Sequence, residues 1–125
     1  METFLLNKTT YQSLRFTGTL VARSSHTVRD IRAYLPARYQ MVTWSLYRTA
    51  NSGKYILHRE ECELQNSSGE ENVQIDVCED AKGILLLLAR NKEALPFTSN
   101  ELLIQAGASD PDFASYAATV VEDID

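Results

Sequence analysis

The period of the apolar residues changes once along this chain, and that change constrains its fold more than any other feature. Between Ser13 and Ser24, Leu14, Phe16, Gly18, Leu20 and Ala22 fall on one parity and Arg15, Thr17, Thr19, Val21 and Arg23 on the other. This is the alternation of a half-buried strand, and Gly18 in its middle predicts a bulge or the close approach of another backbone. Val42, Trp44 and Leu46 alternate with Thr43, Ser45 and Tyr47 in a second strand, Met41 to Thr49. The turn residues Ala50-Asn51-Ser52-Gly53 follow, and a third strand runs from Lys54 to Glu61. Two such runs about a short Gly-containing loop predict a β-hairpin. After the turn Asn66-Ser67-Ser68-Gly69, Val73 to Val77 reads as a fourth, short strand. Residues 25–40, charged and interrupted by Pro36, have no clear period and are expected to form an irregular or mobile connection with at most a helical turn.

From Glu79 onward the pattern is helical. Glu79 to Arg90 opens with acids, which suit the positive end of a helix dipole, and its Leu85–Leu88 run is apolar all round, as in a well-buried helix. Thr98-Ser99-Asn100-Glu101 reads as a capping box. It would open a helix through Leu102, Leu103, Ile104 and Ala106 that ends at Gly107. Asp110-Pro111 starts another, with Phe113, Tyr116, Ala117 and Val120 at helical spacing. Strands first and helices last predict an α+β fold: an antiparallel sheet of three or four strands in the N-terminal part, with two or three C-terminal helices packed on one face. The 125 residues suit one domain, with mobile ends expected at 1–12 and 121–125.

The longest apolar block, Ile84 to Ala89, is six residues, against about 20 for a spanning helix, so no membrane association is expected. The start, Met1 to Asn7, has no basic leader and does not read as a signal peptide. A cytoplasmic setting with reduced Cys62 and Cys78 is therefore expected. These two thiols stand in no C-x-x-C pair and cannot close a structural zinc site alone. Neither a metal nor another cofactor is expected.

Charge is unevenly divided. Residues 1–60 hold nine Lys/Arg against three Asp/Glu, whereas residues 61–125 hold three against fourteen. Either a basic surface faces an anionic partner, or the two halves neutralise one another within the chain or across a dimer. The most suggestive side chains combine cations with rings: Arg29, Arg32 and Arg38 in the connection, and Tyr47, Arg48, Lys54, Tyr55 and Arg59 on the hairpin. Guanidinium groups and flat rings suit protein contacts, and equally the phosphates and bases of a nucleic acid or nucleotide. A thiol or imidazole site would have to draw on His58, Cys62 and Cys78. In a strand, however, His58 and Cys62 lie about 13 Å apart, on one face and out of contact.

Three stretches resemble an uncharacterised group of small bacterial proteins known as EXLDI. They are Arg15 to Ala22; Trp44 to Thr49 with Gly53 to Arg59; and the helical end around Asp110. The resemblance implies a small intracellular bacterial protein and supplies no catalytic residues. The sequence thus leads to a non-catalytic interaction or regulatory protein that binds a protein partner or its own copy as a homodimer. A nucleic-acid or nucleotide binder using the same basic hairpin is the alternative, and a small thiol/His enzyme the second alternative.

Overall fold

The computed structural model describes residues 1–7, 13–29, 39–63, 71–90 and 96–114. Five strands, β1 (Glu2–Asn7), β2 (Ser13–Arg29), β3 (Tyr39–Thr49), β4 (Tyr55–Glu63) and β5 (Glu71–Cys78), precede helices α1 (Ala81–Arg90) and α2 (Pro96–Ser109). The strands form one antiparallel sheet in chain order, β1 to β5. The fold is α+β, as the change of period implies, with one strand more than expected.

That additional strand is β1, in a segment expected to be a mobile end. It pairs with β2 from Glu2↔Gly18 to Asn7↔Ser13. The connection expected over 25–40 is also shorter, because β2 continues to Arg29 and stays in register with β3 as far as Tyr39. Cross-strand pairing stabilises these residues although their own apolar period is weak.

A bulge in β2 explains a second departure. Register runs from Leu20↔Tyr47 directly to Ala22↔Leu46, leaving Val21 as the extra residue. One added residue reverses side-chain direction. Leu14, Phe16 and Leu20 therefore face one side of the sheet and Ala22 the other, despite their shared parity. Gly18 marks the close approach instead: a Cβ there would meet the carbonyl oxygen of Arg48 on β3.

Both faces of the sheet are covered over its middle. On one, Ala22, Val42, Trp44, Leu46 and Leu57 pack with Ile84 and Leu88 of α1, Leu102 and Ala106 of α2, and Phe113. Complete burial of a side chain such as Leu46 or Ile84 contributes about 2 kcal/mol from area removed from water. On the other face no helix is needed, because the sheet curls over itself. Phe4 of β1 lies 4.8 Å from the ring of Tyr47 on β3 and 5.3 Å from that of Phe16, and Leu6, Ile56 and Ile75 join the same cluster. In a flat sheet β1 and β3 would stand about 10 Å apart.

The helices differ from expectation in detail. Asp80 caps α1, its Oδ1 accepting the Gly83 N–H at 2.9 Å. Only one face of α1 is buried, through Ala81, Ile84 and Leu88, whereas Leu86 is exposed. Helix α2 starts at Pro96 and runs past Gly107 to Ser109. Thr98 consequently lies inside it and does not cap its start. Asp110 does cap a following helical turn over 111–114, its Oδ1 accepting the Asp112 N–H at 2.9 Å. Tyr116, Ala117, Val120 and the acidic end lie outside the described residues.

Candidate interaction site

The basic, aromatic hairpin is the first place to look for function, and the fold uses most of it internally. At its turn, Gly53 takes φ +65°. Thr49 accepts the Lys54 N–H on Oγ1 at 2.9 Å and donates its own N–H to the Lys54 carbonyl at 2.8 Å. This geometry places Arg48 and Tyr55 opposite each other at the hairpin end. The Tyr55 hydroxyl donates to Asp110 Oδ2 at 2.7 Å, with Asp112 Oδ2 3.1 Å away as the alternative acceptor. The Arg48 guanidinium lies 5.5 Å over the Tyr55 ring and reaches Asp110 and Asp112, each at 3.3 Å. Phe113 meets the Tyr55 ring edge-on at 5.1 Å. Burial, reinforced by the hydrogen bond to Asp110, holds the Tyr55 hydroxyl far above its ordinary pKa. The group ties the C-terminal turn to the hairpin.

The other candidates are similarly committed. Tyr47 is buried among Phe4, Phe16 and Ile56. Lys54 pairs with Glu79 at 3.5 Å. Arg59 is buried, stacks 5.6 Å over Trp44 and donates from Nη2 to Glu61 at 3.1 Å. Arg29 stands opposite Tyr39 at the end of β2, but its side chain, like Arg32 and Arg38 entirely, lies outside the described residues. Several contacts join the basic and acidic halves: Arg48 to Asp110 and Asp112, Lys54 to Glu79, and Ser24 Oγ to Glu101 at 3.1 Å. Beside the hairpin turn is an open depression of about 540 Å³ lined by Met1, Thr19, Arg48 and residues 49–53. Its guanidinium is the one already held by the two aspartates.

His58, Cys62 and Cys78 do not converge. Register puts Cys62 and Cys78 at opposite ends of the β4–β5 pairing and on opposite faces, and no disulfide joins them. Burial, with Asp76 and Asp80 adding to it, pushes the Cys78 thiol above its ordinary pKa. His58 instead belongs to a polar row on the curled face with Ser45, Arg23 and Glu60. Arg23 Nε donates to Ser45 Oγ at 3.1 Å. His58 Nδ1 lies 3.2 Å from Glu60 Oε1, outside hydrogen-bonding geometry. Burial lowers the His58 pKa; Glu60 opposes this and Arg23 adds to it. The imidazole is thus neutral at pH 7, and its contact with Glu60 is no ion pair. Ser, His and Glu are the residue types of a hydrolytic triad, but Ser45 is 0% exposed. Among the described residues no three His, Cys, Asp or Glu side chains form a metal-binding group, and no helix is long and apolar enough to cross a membrane.

The feature missed in the sequence is the edge of the sheet. The Thr17 carbonyl accepts the Ala50 N–H at 2.8 Å, so Thr17 directs its backbone groups toward β3. Its partner Thr3 is therefore in a non-hydrogen-bonded pair, as the close approach of the two Thr hydroxyls, 3.3 Å, also indicates. Backbone groups in a strand alternate in direction, so Thr3, Leu5 and Asn7 turn theirs outward while Glu2, Phe4 and Leu6 bond β2. Leu5 is 58% exposed. The two-residue spacing of Phe4 and Leu6 was the available signal, and it is short.

Beyond β1, the same side of β2 is not left open. Ser109 Oγ donates to the carbonyl of the bulge residue Val21 at 2.8 Å, and the Arg23 N–H donates to Gln105 Oε1 at 3.0 Å. Helix α2 thus satisfies backbone groups of β2 where β1 has ended. Comparison of the chain with protein-family models, with curated proteins and with solved structures gives no match.

Proposed function

We propose that the protein is a non-catalytic, cytoplasmic interaction module that binds an extended segment of polypeptide along the outer side of β1. The observation that carries this reading is the outward direction of the backbone groups of Thr3, Leu5 and Asn7 on an exposed terminal strand. Such an edge supplies affinity through main-chain hydrogen bonds, and alternate side chains supply selectivity. Between Thr3 and Asn7, β1 holds no charge, proline or bulge, devices that commonly protect an edge. The nucleic-acid reading has less support, because Arg48, Lys54 and Arg59 are each engaged by carboxylates of the chain itself.

Amide hydrogen exchange tests the reading, using dilute protein and an excess of a synthetic peptide of alternating Thr and Val. Protection confined to the Thr3, Leu5 and Asn7 amides, and lost in Leu5→Pro, is the expected result. Proline removes an N–H that β2 does not use, so the β1–β2 pairing is retained. Unchanged exchange at all three amides, or peptide protection elsewhere in the sheet, overturns the reading.

A further inference from the structure

We infer that the segment bound along β1 is β1 of a second copy, giving a two-fold dimer with a continuous ten-stranded sheet. This rests on the edge-binding reading above and adds to it the identity of the partner and the register. Antiparallel addition requires outward-facing residues to meet outward-facing residues. With Thr3, Leu5 and Asn7 as that set, one register uses all of them: Leu5 opposite the partner's Leu5, and Thr3 opposite the partner's Asn7 in both directions. The dyad then passes between the two Leu5 residues, the self-complementary arrangement that a two-fold interface demands.

The side chains agree with this register on both faces. On the face bearing Leu5, the exposed leucine meets its own copy between two Thr–Asn pairs, which removes from water one of the most exposed aliphatic side chains among the described residues. On the curled face, Phe4 meets the partner's Leu6 and Leu6 the partner's Phe4. The aromatic and aliphatic cluster of Phe4, Leu6, Phe16 and Tyr47 then continues across the dyad. No charge opposes a like charge from Thr3 to Asn7. The opposite edge of the sheet differs in this respect, because β5 carries Asp76 inside its length, whereas the one acid of β1, Glu2, stands at its end. The free side of β2 is engaged by Ser109 and Gln105 of α2.

Light scattering after size exclusion, over a wide range of protein concentration, is the first test. Wild type is expected to move from 14.1 kDa to twice that mass as concentration rises, while Leu5→Pro and Leu5→Lys stay monomeric. The lysine variant sets two ammonium groups against each other on the dyad, yet substitutes a residue already exposed in the monomer. Register is tested by mild oxidation in a Cys62→Ser, Cys78→Ser background. Leu5→Cys is expected to crosslink to its copy, its Cα atoms lying about 5.5 Å apart across the dyad. Thr3→Cys is expected not to, because the two Thr3 positions stand about 13 Å apart along the strands. Crosslinking of Thr3→Cys in preference to Leu5→Cys overturns the register. A dimer unaffected by both Leu5 variants overturns the inference, since association then uses another surface. A monomer at every concentration that still binds the Thr/Val peptide at β1 overturns self-pairing and leaves the edge reading standing. A monomer that binds no peptide overturns both.

Discussion

The β3–β4 hairpin and the β1 edge belong to one sheet and end in opposite conditions. The hairpin holds the chemistry that suggests recognition, yet Arg48, Tyr55 and Arg59 meet their partners within the chain. β1 is chemically plain, but the backbone groups of Thr3, Leu5 and Asn7 are left facing outward. Side chains that can bind many things are readily recruited by their own fold, especially where one half of a chain is basic and the other acidic. Main-chain groups at the last strand have no such alternative. Local side-chain chemistry therefore points to the hairpin, whereas strand order is what leaves β1 at an edge.

If the hairpin cluster is a tie between the sheet and the C-terminal turn, Asp110 is its centre. Asp110→Ala takes from the buried Tyr55 hydroxyl its shorter, buried acceptor, leaving only the longer contact to exposed Asp112, and removes the cap of the 111–114 turn. The expected loss is about 3 kcal/mol, read as a lower denaturant midpoint with an unchanged slope. Asp112→Ala, whose side chain is 55% exposed, is expected to lose under about 1 kcal/mol. Equal effects of the two would break the comparison, because the cluster would then be a surface ion pair.

Gly18→Ala has the next largest effect. Its Cβ would contact the Arg48 carbonyl and lie 3.2 Å from Thr49 Cα, both backbone atoms of β3. The expected loss is about 2 kcal/mol, together with faster hydrogen exchange where β2 meets the hairpin. Wild-type stability in this variant would show that β2 and β3 do not approach so closely.

The smallest effect comes from pH and concerns the two histidines, His58 on the curled face and His26 on the other. His58, beside Arg23, Ser45 and Glu60, is held below its ordinary value of 6.5 chiefly by burial, and burial together with Arg59 acts in the same direction on His26. The unfolded chain therefore takes up protons first as pH falls. Stability is complete above about 6.5 and declines below it, down to the native pKa values. Thermal melts between pH 7.5 and 5.5 are expected to show the decline, and His58→Gln to reduce it. A melting temperature that rises toward pH 5.5 would mean that the imidazolium is favoured in the native state.

Much of this could be read from residues and spacing alone. Alternation placed the first part of β2 and most of β3 and β4, the Gly-containing loop placed the hairpin, and Asp110-Pro111 placed the final turn. The missing parts share a cause. Residues 2–7 and 25–29 have weak patterns of their own and become strands through pairing with stronger neighbours. The bulge at Val21 reverses which face Ala22 occupies, and no local signal announces it. Pairs such as Arg48 with Asp110 bring together residues far apart in the chain, so spacing could not reveal that the hairpin cations were already held.

The sequence by itself determined the α+β class, the central hairpin and the opposed charge of the two halves, because these follow from short-range periodicity, turn chemistry and composition. Tertiary structure alone decided which polar groups were satisfied and which strands stand at the edges of the sheet. Satisfaction and exposure belong to the assembled sheet: a backbone N–H is free or bonded according to what lies beside it in space, and the residue that bears it carries no trace of the outcome.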